Sequence, residues 1–140
     1  MTYRLVAQGE APPSFLVRAK AVPITAVARI AALAKPIQIR AFVEAIQRNL
    51  PQASYDQALG WRNAVNSVSA RCAGNGCLQR SIAVVLMAAT SGRSVEWKAG
   101  FRTEPFLAHA WVEVDEEPVG EPAEVRNYRI TIASRPSMAR

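Results

Sequence analysis

"NGCLQRSIAVVLMAAT", residues 75–90, sets a cysteine directly after a glycine turn and at the head of an apolar helix. The preceding "AGNG" breaks helical periodicity, since glycine tolerates positive φ, and Cys77 opens the next helix. The first backbone amides of a helix have no intrahelical partners, and with the aligned peptide dipoles they favour negative charge. A thiolate there is stabilised over the thiol and is the better nucleophile at neutral pH. Cys72 falls at the end of the previous helix and lacks that setting. The alternative for Cys77 is an inert packing thiol, the commoner fate of a free cysteine.

Upstream of this stretch the chain reads as helical. Residues 1–20, with Pro12 and Pro13, read as an irregular arm carrying one short apolar run. From Pro23, "ITAVARIAALAK" has apolar residues at helical spacing and stops at Pro36. "IQIRAFVEAIQRNL" forms a second helix before Pro51, with Ile39, Phe42, Val43 and Ile46 on one face. Ser54 caps a third, "YDQALGWRNAVNSVSARC", whose stripe is Leu59, Ala64, Val65 and Val68. Downstream of Gly92 the period changes to two: "SVEWKAGFR", "FLAHAWVEVD" and "NYRITIAS" are strands. Helices ahead of strands predict an α+β fold, with a small antiparallel sheet packed on the cysteine-bearing helix.

The chain of 140 residues and 15.2 kDa suits a single domain. Its expected parts are the arm at 1–20, a helical part at 21–71, a catalytic core at 72–134 and a frayed tail at 135–140. The longest apolar stretch, Ile82 to Thr90, is too short for the ~18 residues of a membrane span, and no secretion signal is apparent. A cytoplasmic location and reduced cysteines follow as expectations. The net charge is +6. Its arginines are spread out and not interleaved with aromatics, so the excess reads as a solvated basic surface favouring acidic partners, not as a nucleic-acid face.

His109 is the one histidine of the chain. Alternation in "FLAHAWVEVD" puts Phe106, Ala108, Ala110, Val112 and Val114 on a core face, and Leu107, His109, Trp111, Glu113 and Asp115 on the other. That second face is expected to lie over the start of the Cys77 helix. A helix-start cysteine and a strand histidine form the pair that thiol acyl transfer needs. A third group should orient the imidazole. If Glu116 and Glu117 form a tight turn, the returning chain brings Glu121 beside His109, and Asp115 is the alternative. One histidine and two cysteines fall short of a metal ligand set, and no cofactor is expected.

"CLQRS" at the helix start, then "GFRTEPFLAHAWVEVD" and a short hairpin, resemble the lasso peptide biosynthesis leader peptidases, the B2 proteins. These belong to the transglutaminase-like or papain-like cysteine protease superfamily. The resemblance covers roughly Cys72 to Pro122. It implies that Cys77 is the nucleophile, His109 the general base and Glu121 the orienting acid. Two departures stand out: the family usually has aspartate where Glu121 stands, and commonly Asp-Gly at the turn, where this chain has Asp115-Glu116. The latter pair does not readily adopt positive φ.

The resemblance further implies removal of the leader from a ribosomally made precursor peptide. A separate ATP-dependent, asparagine-synthetase-like cyclase then joins the new amino terminus to an Asp or Glu side chain. The N-terminal part is too short and too helical to hold a leader-binding domain, which implies a separate leader-recognition protein. Leu107 and Trp111 are candidate walls of the leader groove, and Arg80 is expected in an ion pair. Two other readings use the same residues: another amidase or acyltransferase of the superfamily, and a non-catalytic basic peptide-binding module.

Overall fold

The computed structural model describes residues 14–135. The chain begins there with α1 (Phe15–Ala31), α2 (Pro36–Ile46), α3 (Tyr55–Val68), a single turn α4 (Ala70–Ala73) and α5 (Cys77–Thr90). The strands β1 (Glu96–Arg102), β2 (Leu107–Val114), β3 (Glu117–Pro118) and β4 (Arg129–Ala133) follow, with a 3-10 turn at Ala123–Asn127 before the last. The four strands form one antiparallel sheet in the order β3-β2-β1-β4. Helices first and an antiparallel sheet packed on α5 is the α+β arrangement the sequence predicts.

Three boundaries differ from the sequence reading. Residues 1–13 and 136–140, most of the expected arm and tail, lie outside the described residues. The rest of the arm is helical: the Ser14 side chain accepts from the Val17 amide at 3.2 Å and starts α1 at Phe15. Pro23 sits inside this helix instead of starting it; the bond it removes is to the carbonyl of Ala19, an exposed residue that water can serve. At the other end, the Arg135 amide donates to Glu44 at 2.8 Å, so the chain is held at that point. The long third helix is broken at Ser69, which turns extended and caps α4 through its hydroxyl on the Cys72 amide.

One core joins the helices to the sheet. Ala21 and Ala28 of α1, Val43 of α2, Leu59 and Val65 of α3 and Ile82, Val85 and Met87 of α5 meet Trp97, Ala110, Val112 and Val114. Polar ties fix the layers: Gln79 on α5 donates to the Thr25 carbonyl of α1 at 2.9 Å. The Trp97 indole donates to Ser81 on α5 at 3.0 Å. The first holds α5 to α1 and the second holds it to β1, while the start of α5 meets β2 at Ala110.

Candidate active site

The position of Cys77 is set by the turn before it. Gly76 donates its amide to the Arg71 carbonyl at 2.8 Å, and a Cβ at Gly76 would lie 2.7 Å from that same oxygen. Glycine is therefore required for close backbone approach; its φ of −84° is ordinary, contrary to the reason the sequence suggested. Arg80, one turn into α5, is buried and donates to the carbonyls of Cys72 (2.6 Å) and Gly74 (3.4 Å). It thus binds the turn to the helix, and among the described residues it does not form the expected ion pair with a carboxylate. The Arg80 amide is the first to reach a helix carbonyl, that of Gly76, so the amides of Cys77, Leu78 and Gln79 precede the ladder unpaired within it.

His109 is brought to the sulfur by the edge of β2. In an antiparallel ladder, residues two apart direct their amides to the same neighbour. Val112 accepts from Val119 on the β3 side, so Ala110 presents its amide on that edge too, beyond the point where two-residue β3 has ended. The Cys77 thiol occupies this free edge, hydrogen-bonding the Ala110 backbone and the His109 side chain. The core face of β2, not the His109 face, covers α5, and the two groups meet at the strand edge.

Glu121 completes the line. Its Oε1 lies 2.7 Å from His109 Nε2, which leaves Nδ1 for the thiol. The turn between β2 and β3 is Asp115-Glu116, one residue earlier than expected, with φ of 51° and 65°; the chain adopts the positive φ that this pair was expected to resist. Asp115 is exposed at that turn, away from the imidazole that Glu121 holds. A residue the sequence reading missed, Arg62 on α3, reaches Glu121 Oε2 at 3.5 Å. Gly120 makes room for it: φ is 68°, and a Cβ there would lie 2.8 Å from Arg62 Cδ. The Gly120 amide donates to the Tyr55 hydroxyl at 3.0 Å, fixing the segment to α3.

The electrostatics follow from these contacts. Burial alone would raise the Cys77 pKa, but the His109 hydrogen bond, the Ala110 amide and the charges of His109 and Arg80 outweigh it, so the thiol is lowered. Burial would lower His109, yet its bonds to Cys77 and Glu121 and their charges hold it at about 9. Burial would raise Glu121, and the His109 bond and charge, then Arg62 and Arg80, keep it below the usual carboxylate range. Arg62 is lowered mainly by burial and still carries its charge, as a guanidinium does. The directions together favour a thiolate–imidazolium pair at neutral pH, titrating as a unit. Cys72, by contrast, is buried and its thiol is raised by that burial.

A family model described as the transglutaminase-like superfamily matches residues 21–133. The chain belongs to the transglutaminase-like superfamily. Comparison with curated proteins found no match, and comparison with solved structures found none. Transglutaminase-like domains typically act through a catalytic cysteine. In this transglutaminase-like chain, the residues singled out as Cys77, His109 and Glu121 stand in one hydrogen-bonded row.

The remaining candidates divide. Trp111 does not wall a substrate groove: it is 2 % exposed, stacks on the imidazole at 5.7 Å and 18°, and donates to Glu113 at 2.8 Å. Glu113 in turn pairs with Lys98 at 2.7 Å. Tyr128 lies against both rings, 5.8 Å from His109 and 6.0 Å from Trp111. This aromatic shelf fixes the ring plane of the transglutaminase-like site's histidine. Leu107 is 44 % exposed, and Phe106 and Ala108, expected on the core face of the strand, are exposed as well, because the core begins only at Ala110. Among the described residues, no helix is long and apolar enough to cross a membrane.

Proposed function

We propose that this protein is a cysteine peptidase that removes the leader from a ribosomally made lasso peptide precursor. In this reading it works with a separate leader-recognition protein and an ATP-dependent, asparagine-synthetase-like cyclase. The observation that carries the peptidase reading is the bridging of the Cys77 thiol and the Glu121 carboxylate by one imidazole. The narrower assignment rests on the "CLQRS" and "PFLAHAWVEV" stretches and their likeness to the leader peptidases.

The Cys77 thiolate attacks the carbonyl of the last leader residue. The oxyanion that forms is stabilised by the unpaired amides of the helix start, that of Cys77 first. The C–N bond breaks as imidazolium Nδ1 gives its proton to the departing core amine. Water then attacks the thioester, passing a proton back to His109, and the leader leaves as a carboxylic acid. Throughout, Glu121 on Nε2 holds one tautomer and stabilises the charged ring.

The test mixes the protein with candidate precursor and leader-recognition protein and reads product masses. Leader and core fragments whose masses sum to precursor plus one water are expected, and none with Cys77→Ala. An amine adduct of the acyl fragment would indicate acyl transfer instead of hydrolysis. Intact precursor with wild type and unchanged binding by Cys77→Ala would favour a non-catalytic module.

A further inference from the structure

A basic pocket opens at the end of the sheet that carries His109. It has a volume of about 570 Å3 and is lined by Phe101, Arg102, Thr103, Asn127 and Arg129, with no acidic side chain. Arg102 is the last residue of β1, opposite Leu107, and Arg129 opens β4 opposite Phe101. Neither guanidinium has a carboxylate within 4.0 Å among the described residues. Arg102 lies over the Tyr128 ring at 6.0 Å, and its Nε is shut off from solvent without a hydrogen-bond partner among those residues.

Arg102 also lines a cleft of about 220 Å3 formed with His109, Glu121, Glu124 and Tyr128, so the two spaces share a wall. Glu121 is already neutralised by His109 and Arg62, and the exposed Glu124 lines the cleft but not the larger pocket, so that pocket, which no acidic side chain lines, is the anion-attracting space. Glu121, which holds Nε2 on the side of the ring away from the thiol, lines this cleft, so the cleft lies on the far side of the imidazole from the sulfur. In thiol acyl transfer the acyl half stays on sulfur and the leaving half departs past the imidazole that protonates it.

We propose that the Arg102–Arg129 pocket is a subsite for a carboxylate carried by the leaving half of a peptide substrate. The proposal rests on the acyl-transfer reading for which half is bound, and on the pocket itself for the chemistry. Guanidinium groups hold carboxylates by paired, charge-assisted hydrogen bonds. The carboxylate is an Asp or Glu side chain, or the free end of a short leaving fragment.

The test passes randomised octapeptide libraries, one with amidated and one with free C-termini, over immobilised Cys77→Ala protein. Enrichment of Asp and Glu over Asn and Gln by about tenfold is expected in the amidated library if a side chain is bound. Enrichment confined to free C-termini assigns the terminal carboxylate. Either preference should vanish in Arg102→Gln/Arg129→Gln, persist in part in Arg102→Lys/Arg129→Lys, and survive Arg18→Gln/Arg29→Gln, which removes equal charge from α1. No preference, or one unchanged by loss of both pocket arginines, overturns the proposal. Iodoacetamide labelling of Cys77 in the wild type reads the nucleophile separately, so an inert thiol beside an intact preference refutes the acyl-transfer reading and leaves the carboxylate pocket standing.

Discussion

Arg62 and Glu121 are 59 residues apart in the chain and touch in the fold, and their contact holds the carboxylate that faces His109. The longer side chain reaches His109 at 2.7 Å while the second oxygen is held by Arg62, so the extra methylene does not leave it loose. Glu121→Gln should lower kcat/KM by about 10²–10⁴-fold, because the amide no longer selects the tautomer or stabilises the imidazolium. Arg62→Gln should fall less, with Tm changing little, because the Glu121–His109 bond remains. The pH profile of kcat/KM should be a bell: activity falls above about 9 as His109 loses its proton, and falls on acidification as the lowered Cys77 thiolate is protonated. For stability, His109 raised from 6.5 to about 9 contributes fully below 6.5, and this is lost as pH rises through about 9. Thermal melts against pH, compared with His109→Ala, check the sign. Cys77 and His109 were legible because each is chemically distinctive and sits where its element gives it a role. Arg62 was not, since an arginine on a helix reads as surface charge until the fold shows what it faces.

The elements were legible where side-chain period and local geometry agreed. Alternation located β1, β2 and β4, and "AGNG" located the start of α5. It failed where a backbone choice was settled by tertiary contact. The Ser69 break costs the third helix its continuity but lets the Cys72 and Gly74 carbonyls accept from Arg80 and the Gly76 amide donate to the Arg71 carbonyl, which aligns Cys77. The Asp115-Glu116 turn is a second case. Local preference opposes positive φ at Glu116, yet the two-residue connection between β2 and β3 demands it, and that hairpin returns Glu121 to His109. Glu116→Gly should therefore raise stability by about 0.5–1 kcal/mol, read as a higher urea midpoint at unchanged m. Cleavage by this variant should match wild type, because Glu116 touches none of the three site residues.

At the scale of the molecule, the helices and the sheet share one set of buried side chains, and the site lies at their junction: Cys77 on a helix, His109 on a strand, Glu121 on the returning chain. Ile82, 0 % exposed on α5, touches this shared core, so Ile82→Ala should cost about 2–5 kcal/mol. Far-ultraviolet and near-ultraviolet circular dichroism should report the same single transition, the latter through buried Trp97; two transitions would mean that the helical part and the sheet unfold apart. The sequence could order helices before strands but could not say which strand edge the sulfur meets, because that depends on where β3 ends. The coupling of Cys77 to His109 is what everything else depends on, and alkylation of native protein by iodoacetamide, followed by site against pH, measures it directly. Cys72, buried, should stay unmodified as an internal control. The account predicts that Cys77 reactivity titrates below the ordinary thiol value of 9.0, and that His109→Ala moves this midpoint upward. A Cys77 midpoint at or above 9.0 that is the same with and without the imidazole would contradict it.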